Sequence, residues 1–219
     1  MEIGYMGDIQ DRELISQITS FLGIKHIAVE KSISQLKEIE NMSNLTLISR
    51  HTLKEGYDIN NKNFKSKLNQ IRFNYQYISV IANSADLLSR LVVDTRVDAF
   101  HINENSQIKF FNKKFCNRME ENNKLAEINL EGLYSNQISK NLKQILRIVE
   151  LFNKSKVNYV ISHFPKTEVE LRSQKGIRAL AEICGVASNK INNIHFLKRI
   201  ELNNKKLAGV IPFEGVEII

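Results

Sequence analysis

The chain has 219 residues, a length that suits one α/β domain with its own core and is short for two. Hydrophobic residues make up 42% of the sequence and charged residues 25%, values that argue against both a disordered chain and a membrane protein. The formal net charge of +7 favours polyanionic partners without specifying one. The sequence has no apolar run of membrane-spanning length and no signal-peptide pattern at its start, so we expect an intracellular, cytoplasmic protein.

Short apolar runs recur along the chain and are separated by segments with helical periodicity, an alternation that predicts a parallel sheet. The predicted strands lie at residues 3–5, 26–29, 45–48, 77–81, 97–102, 125–130 and 159–162. The clearest predicted helix spans residues 137–154, where an apolar face lies opposite a face of Lys and Arg. We expect one α/β barrel domain over residues 1–200 and an extended, apolar C-terminal tail over residues 201–219.

The two cysteines, Cys116 and Cys184, are far apart in the sequence. Neither has a second Cys or a His at zinc-ligand spacing, and each lies on the apolar side of a predicted helix. Because free cysteine is among the most buried residue types, both are predicted to be core residues.

Polar residues are predicted at the carboxyl ends of the strands, where parallel βα folds bind their ligands. These residues are Glu30, Arg50, His51, Asn83, His101, Asn103, Glu131 and His163. The histidines form no H-x-H pair and no H-E-x-x-H helix, so the spacing predicts hydrogen-bonding roles and no metal site. Glu127 and Asn129 alternate with apolar residues, which directs both toward the barrel interior. A metal-dependent phosphoesterase that uses Glu30, His51, His101 and His163 is the alternative.

Motifs of conventional enzymes are missing from the sequence. It has no phosphate-binding P-loop, no dinucleotide-binding glycine motif and no nucleophile elbow, and it contains only nine glycines. We therefore assign no catalytic residue to this chain.

Basic residues cluster around several predicted helix starts and strand ends, where backbone N–H groups attract phosphate. The candidate RNA-binding residues are Arg90, Arg96, Lys113, Lys114, Arg172 and Lys175. Phe110, Phe111 and Tyr134 lie near them and are candidates for stacking on an unpaired base, with core packing as the more common role of the two phenylalanines.

Four segments, in order along the chain, carry a family resemblance. The first is the strand at 77–80 together with the segment 91–100, which contains R-V-D. The others are L-A-E-I-N-L at 125–130, V-I-S at 160–162 and E-L-R-S at 170–173. The G-V-E at 215–217 is similar too. They resemble the archaeal and eukaryotic ribonuclease P protein component 3 family, the thirty-kilodalton subunit. The resemblance covers residues 71–187 best. The first strand departs from the family's usual Asp-Leu start, because Tyr5-Met6-Gly7-Asp8 stands there.

The resemblance implies a TIM-barrel-like (β/α) barrel akin to the polymerase and histidinol phosphatase superfamily, without the metal ligands of those hydrolases. It implies a subunit that supports a catalytic RNA in removing 5′ leaders from precursor tRNA, which the chain contacts only indirectly. Mg²⁺ is then expected on the RNA, with no cofactor on this chain. The expected protein partner is ribonuclease P protein component 2, in a two-plus-two assembly. Arg96 and Arg172 are the basic positions that match family motifs. A pure scaffold, attached to its partner through the apolar tail and an outer helix, is a further alternative.

Overall fold

Strands and helices alternate along the computed structural model, which describes residues 2–5, 12–39, 45–54, 63–81, 84–103, 108–167, 170–186 and 194–210. The strands in these ranges are β1 (Glu2–Tyr5), β2 (His26–Val29), β3 (Thr46–Leu53), β4 (Tyr77–Ile81), β5 (Ala99–Ile102), β6 (Leu125–Asn129) and β7 (Asn158–Ser162). The helices are α1 (Arg12–Leu22), α2 (Ile33–Lys37), α3 (Phe64–Asn74), α4 (Ala85–Leu91), α5 (Lys113–Glu121), α6 (Ile138–Lys154), α7 (Gln174–Ile183) and α8 (Ile194–Leu207). Short 3-10 helices at Ile108–Phe110 and Glu131–Tyr134 follow β5 and β6.

The seven strands form one sheet in sequence order, and every neighbouring pair is parallel. The first strand also approaches the last, so the sheet curls toward closure. Each connection carries a helix, as parallel neighbours require. The predicted TIM-barrel-like α/β fold is confirmed.

All seven predicted strands are present, but β3 is longer than expected. It extends to Leu53, so Arg50, which was predicted to follow the strand, lies within it. Its second half is polar, and a polar run of this kind resembles a loop in sequence. The partners that make it a strand come from elsewhere in the barrel.

Side chains on alternate strand positions pack outward against the helices. The main core joins strand residues such as Val80, Phe100 and Ile128 to helix residues such as Phe115 and Phe152. Phe100 and Phe115 meet edge to face, with ring centroids 5.4 Å apart. Cys116 and Cys184 are fully buried in this core, which confirms the prediction made for both.

The longest predicted helix is confirmed as α6, from Ile138 to Lys154. Its buried stripe includes Ile145, Ile148, Val149 and Phe152, at the spacing of one helical face. None of the helices in the described ranges is both long enough and apolar enough to cross a membrane.

The amino ends of the strands are covered by α8. Phe196 enters the barrel and packs on Tyr77, with ring centroids 4.6 Å apart. Asn203 donates to the Gln76 carbonyl at 2.8 Å and to Asp98 Oδ1 at 3.0 Å. These contacts keep the helix continuous to Leu207, so residues 201–207 are helical and not part of an extended tail as predicted. Residues 211–219 of that tail lie outside the described residues.

Candidate nucleic-acid interface at the carboxyl end of the barrel

The barrel interior contains a buried ionic network centred on Arg50. Its Nη2 donates to Glu127 Oε2 at 2.7 Å, and its Nη1 pairs with Glu30 at the carboxyl end. Glu127 Oε2 also accepts from Ser79 Oγ at 2.6 Å and lies 3.2 Å from His101 Nδ1. Arg50 and Glu127 are both fully buried, so each charge depends on partners within the barrel for its stabilisation.

The electrostatics of the network keep Glu127 ionised. Burial by itself raises the pKa of this carboxyl, but attraction to Arg50 and hydrogen bonds from His101 and Arg50 outweigh it and lower the pKa to about 2. Burial likewise disfavours the charged form of Arg50, and attraction to Glu127 and Glu30 outweighs it, so its pKa is raised. The interior is therefore an ion-pair network and not a proton-transfer pair.

Each of the four residues of the phosphoesterase alternative contacts another group of the chain. Glu30 binds Arg50, and His101 lies against Glu127. His163 Nε2 lies 2.5 Å from the Glu170 carbonyl. His51 packs on Tyr75, with centroids 4.8 Å apart, and burial lowers its pKa. Across the described ranges, no group of three His, Cys, Asp or Glu side chains is arranged to hold a metal ion.

Asn129 and Glu131, at the carboxyl end of β6, have local hydrogen-bonding roles. Asn129 Oδ1 accepts from the Glu131 backbone N–H at 2.7 Å, which fixes the turn after β6. Glu131 in turn pairs with Lys166. Asn103 lies directly after β5, and Asn83 lies outside the described residues.

The six predicted RNA-binding residues fall at two different ends of the barrel. Lys113 and Lys114 begin α5, and Arg172 and Lys175 lie at the start of α7, so all four are at the carboxyl end. Arg90 is in the last turn of α4, and Arg96 lies between α4 and β5, at the amino end. The structure thus brings four of the six to one surface and separates the other two.

The start of α5 has the features of a phosphate-binding helix end. Asn112 caps the helix by accepting from the Phe115 backbone N–H at 3.0 Å, and both Lys113 and Lys114 are exposed in the first turn. Positive side chains and unpaired N–H groups there act in the same direction on an anion. Phe111, by contrast, is buried and packs on the aromatic rings of the core, so it does not offer a stacking surface.

An exposed aromatic ring lies at the end of the 3-10 helix Glu131–Tyr134, which precedes α6 at the same end of the barrel. Tyr134 is 52% exposed, and the Arg172 guanidinium lies 5.8 Å from its ring centroid. His163 contacts the ring edge-on at 6.3 Å. An exposed ring beside a cation is suited to stacking on an unpaired base.

More lysines surround this end than the sequence-based prediction included. They follow strands or lie near the starts of helices, and they are Lys31, Lys54, Lys67, Lys109, Lys140 and Lys166. The missed signal was their position directly after a strand or at a helix start, which places each at the carboxyl end. We call the surface formed by Lys113, Lys114, Tyr134, Lys140, Arg172 and Lys175 the carboxyl-end surface.

Arg96 has a different environment from the other five. Its Nε and Nη2 bind the two carboxylate oxygens of Asp94 at 2.8 and 2.5 Å, and its Nη1 donates to Asn69 Oδ1 at 2.7 Å and to the Lys65 carbonyl at 2.9 Å. These bonds attach the loop before β5 to α3. The neighbouring Asp98, fully buried, accepts from Arg72 Nη1 at 2.6 Å and from the Ile78 N–H at 2.8 Å. The R-V-D segment is therefore a structural element of the fold.

Together, the curled parallel sheet and its lysine-rich end define a TIM-barrel-like α/β protein with a basic carboxyl end. Residues 6–199 match the family described as RNase P subunit p30. The chain belongs to this family.

Comparison with solved structures supports the fold assignment. The chain is similar to a chain in the cryo-EM structure of archaeal ribonuclease P with mature tRNA, with a TM-score of 0.81, 17% identity, and coverage of 100% of this chain and 98% of that one. A crystal structure of an uncharacterized protein is more distant, with a TM-score of 0.50, 8% identity, and coverage of 98% of this chain and 76% of the other. The sequence has no significant match among curated proteins.

Proposed function

We propose that this chain is a protein subunit of ribonuclease P and that its carboxyl-end surface binds phosphate groups of the catalytic RNA. Membership of the RNase P subunit p30 family supports the first part. The single observation that supports the second is the gathering of Lys113, Lys114, Arg172 and Lys175 at one end of the barrel. The chain in the archaeal complex, which the fold resembles, belongs to an assembly with tRNA.

In this proposal the chain contributes charge and shape. Lysine and arginine side chains neutralise backbone phosphates and release counterions, which lets an RNA fold pack closely against protein. The ring of Tyr134, beside Arg172, offers a stacking surface for an unpaired base of that RNA. The RNA, with Mg²⁺, performs the phosphodiester hydrolysis that removes the 5′ leader of precursor tRNA.

A metal-dependent phosphoesterase is not favoured. The family is that of an RNase P subunit, and Glu30 and Glu127 are ion-paired to Arg50. A buried guanidinium between two carboxylates already supplies the positive charge that a metal would bring to them. Elemental analysis of the purified chain tests this alternative. Transition metal bound at about one ion per chain would support the phosphoesterase.

The proposal also includes the protein partner. The family resemblance supports ribonuclease P protein component 2, in a two-plus-two assembly. Mixing the two chains and measuring the mass of the complex by light scattering tests this stoichiometry. A cytoplasmic, archaeal-type enzyme is likewise part of the proposal, and cell fractionation tests the location.

The salt dependence of RNA binding tests the carboxyl-end surface. The triple variant Lys113→Gln, Lys114→Gln, Lys175→Gln should reduce the slope of log K against log salt by about 2, because each lost phosphate contact removes about 0.7–0.9. Cleavage of precursor tRNA by the reconstituted enzyme should fall in parallel.

The matched control removes three lysines from elsewhere. Lys154, Lys156 and Lys205 are exposed and lie away from the carboxyl end, so their triple change to Gln loses the same charge. Equal slopes and equal cleavage activity for the two triple variants would contradict the proposal.

A further inference from the structure

A second basic region lies at the amino end of the barrel, opposite the carboxyl-end surface. A cleft of about 420 Å³ is lined by residues of α8, of the loops before β5 and β6, and of the starts of β6 and β7. The polar residues that matter for its chemistry are Asn123, Lys124, Asn158, Lys198, Arg199 and Lys206. The family motifs and the six predicted RNA-binding positions include none of these residues.

The charge of the cleft is strongly positive. Among the described residues of its lining, the lysine and arginine residues are Lys124, Lys198, Arg199 and Lys206, and the acidic residue is Glu121. Four cations against one carboxylate in a concave surface concentrate positive potential, because low-dielectric walls focus the field.

Two of these cations are fixed to the wall of the cleft. The Lys124 ammonium donates to the Asp94 carbonyl at 2.5 Å and to the Val97 carbonyl at 2.6 Å, and Arg199 donates to the Asn123 carbonyl. The Lys124 side chain is buried, and its positive charge is therefore held in the wall of the cleft. A preorganised cation costs less conformational entropy when it binds an anion than a flexible one does.

The other two cations project from α8. Lys198, Leu202 and Lys206 follow at intervals of four residues, which places them along one side of the helix and over the cleft. Lys198 is exposed. Two lysines eight residues apart on a helix form a short row of charge that fits successive phosphates of a nucleic acid better than a single small anion.

The remaining lining provides hydrogen bonds and apolar contact. Asn123 has a φ of 51°, in the left-handed region that asparagine tolerates, and Asn158 is exposed at the start of β7. Their amides can donate to phosphate or ribose oxygens. Val93 and Leu202 add exposed apolar surface at the rim, suited to the face of a ribose.

We infer that this cleft binds backbone phosphates of a second RNA segment, so that the chain contacts RNA at both ends of its barrel. The inference rests on the proposed function, in which the chain is an RNA-binding subunit. The two surfaces lie at opposite ends of the parallel strands. A single RNA helix would therefore have to run along the outer α-helices of the barrel to contact both. The protein therefore acts as a brace between two segments of the folded RNA.

The test uses the double variant Lys198→Gln, Lys206→Gln with ribonuclease P RNA over a series of KCl concentrations. Affinity at 0.1 M salt should fall by about tenfold or more, and the salt slope by about 1.5, for two lost phosphate contacts. The control Lys154→Gln, Lys205→Gln removes the same charge from exposed ion pairs on outer helix faces. It should leave affinity within about twofold of the unchanged chain. Thermal unfolding of each variant checks the fold, and Lys198→Gln alone replaces the double variant if that one is unfolded.

Crosslinking supplies a readout that does not depend on affinity. A photoreactive residue in place of Asn158 should attach to nucleotides different from those reached from position 175. The absence of any RNA crosslink from position 158, or crosslinks to the same nucleotides from both positions, would overturn the inference.

The outcomes separate this inference from the proposed function. An unchanged cleft variant beside a weakened carboxyl-end triple variant overturns the inference and leaves the proposed function standing. If both variants bind RNA normally, the proposed function fails as well.

Calorimetry with pyrophosphate tests whether the cleft binds a small anion instead of RNA. Pyrophosphate binding that the double variant abolishes, with RNA affinity unchanged, would show a small-anion site in place of an RNA contact. Loss of component 2 binding with RNA affinity unchanged would show a protein interface.

Discussion

Arg50 and Glu127, which are 77 positions apart in the sequence, form a fully buried ion pair in the barrel interior, with Nη2 and Oε2 2.7 Å apart. Glu30, Ser79 and His101 complete the network around them. Because each charge depends on its partners for compensation, the network ties strands β2 to β6 to one arrangement. It uses the polar interior of the barrel for structure, and the outer ends of the barrel remain for binding.

Removing the guanidinium should destabilise the fold strongly. We expect Arg50→Met to lower the free energy of unfolding by about 3–5 kcal/mol, because it leaves Glu127 buried without its cation. Urea unfolding followed by circular dichroism measures the change. Arg90→Met is the control, since Arg90 is exposed, and should stay within about 0.5 kcal/mol. Similar losses in both variants would contradict the structural role of Arg50.

Acid should weaken the protein through the same pair. The pKa of Glu127 is lowered from 4.5 to about 2, so its stabilisation is complete above pH 4.5 and is lost as the pH falls toward 2. The urea midpoint should therefore drop between pH 5 and pH 2. Glu127→Gln should be less stable than the unchanged chain at pH 6 and should show a smaller drop over this range. An identical pH dependence in the two proteins would argue against this assignment.

The exposed ring of Tyr134 should contribute directly to RNA affinity. Tyr134→Ala is expected to weaken binding of ribonuclease P RNA by about 5- to 100-fold, the range for loss of one stacked base. Tyr134→Phe should retain the affinity, because stacking needs the ring and not the hydroxyl. Phe21, which is 90% exposed on α1, provides a control in Phe21→Ala, which should bind normally. Equal effects of the two alanine changes would rule out a specific stacking role.

Arg96 should contribute to the stability of the fold, although the sequence predicted an RNA-binding role for it. Its bonds to Asp94, Asn69 and the Lys65 carbonyl are lost in Arg96→Ala, which should cost about 1–2 kcal/mol of folding free energy. Arg90→Ala, at an exposed position nearby, should cost less than about 0.5 kcal/mol. Thermal unfolding of both variants is the measurement. Unchanged stability of Arg96→Ala with weakened RNA binding would restore the direct RNA contact predicted from sequence.

The two cysteines should be inert in the folded protein. Burial raises the pKa of Cys184 to about 11 and also raises that of Cys116, so both remain thiols at pH 8. Ellman's reagent should react slowly with the native chain and with both thiols at once in urea. Fast reaction of either cysteine at pH 8 under native conditions would contradict their burial.

Local patterns predicted much of the fold and little of the site. Apolar periodicity located the seven strands of the described residues and the long helix α6, because each periodicity is a property of neighbouring residues. The same method ended β3 at Ile48, since the following Ser49 and Arg50 are polar. Only the curled sheet brings Glu127 opposite Arg50 and makes this polar segment a strand.

The basic residues show the same division. Arg96 and Lys113 follow one another among the six predicted RNA-binding residues, yet β5 lies between them and carries the chain from one end of the barrel to the other. The cleft at the amino end joins Lys124 to residues of α8 that are more than seventy positions away. No pattern of nearby residues reveals such a pairing.

By itself, the sequence determined the βα order, the burial of the cysteines and the basic character of the chain, because these follow from composition and short-range periodicity. The tertiary structure alone decided that Arg50 is paired inside the barrel, that Arg96 binds its own chain, and that the cations form two separate surfaces. The physical reason is that charge compensation and concave shape depend on atoms that meet only after the sheet has curled.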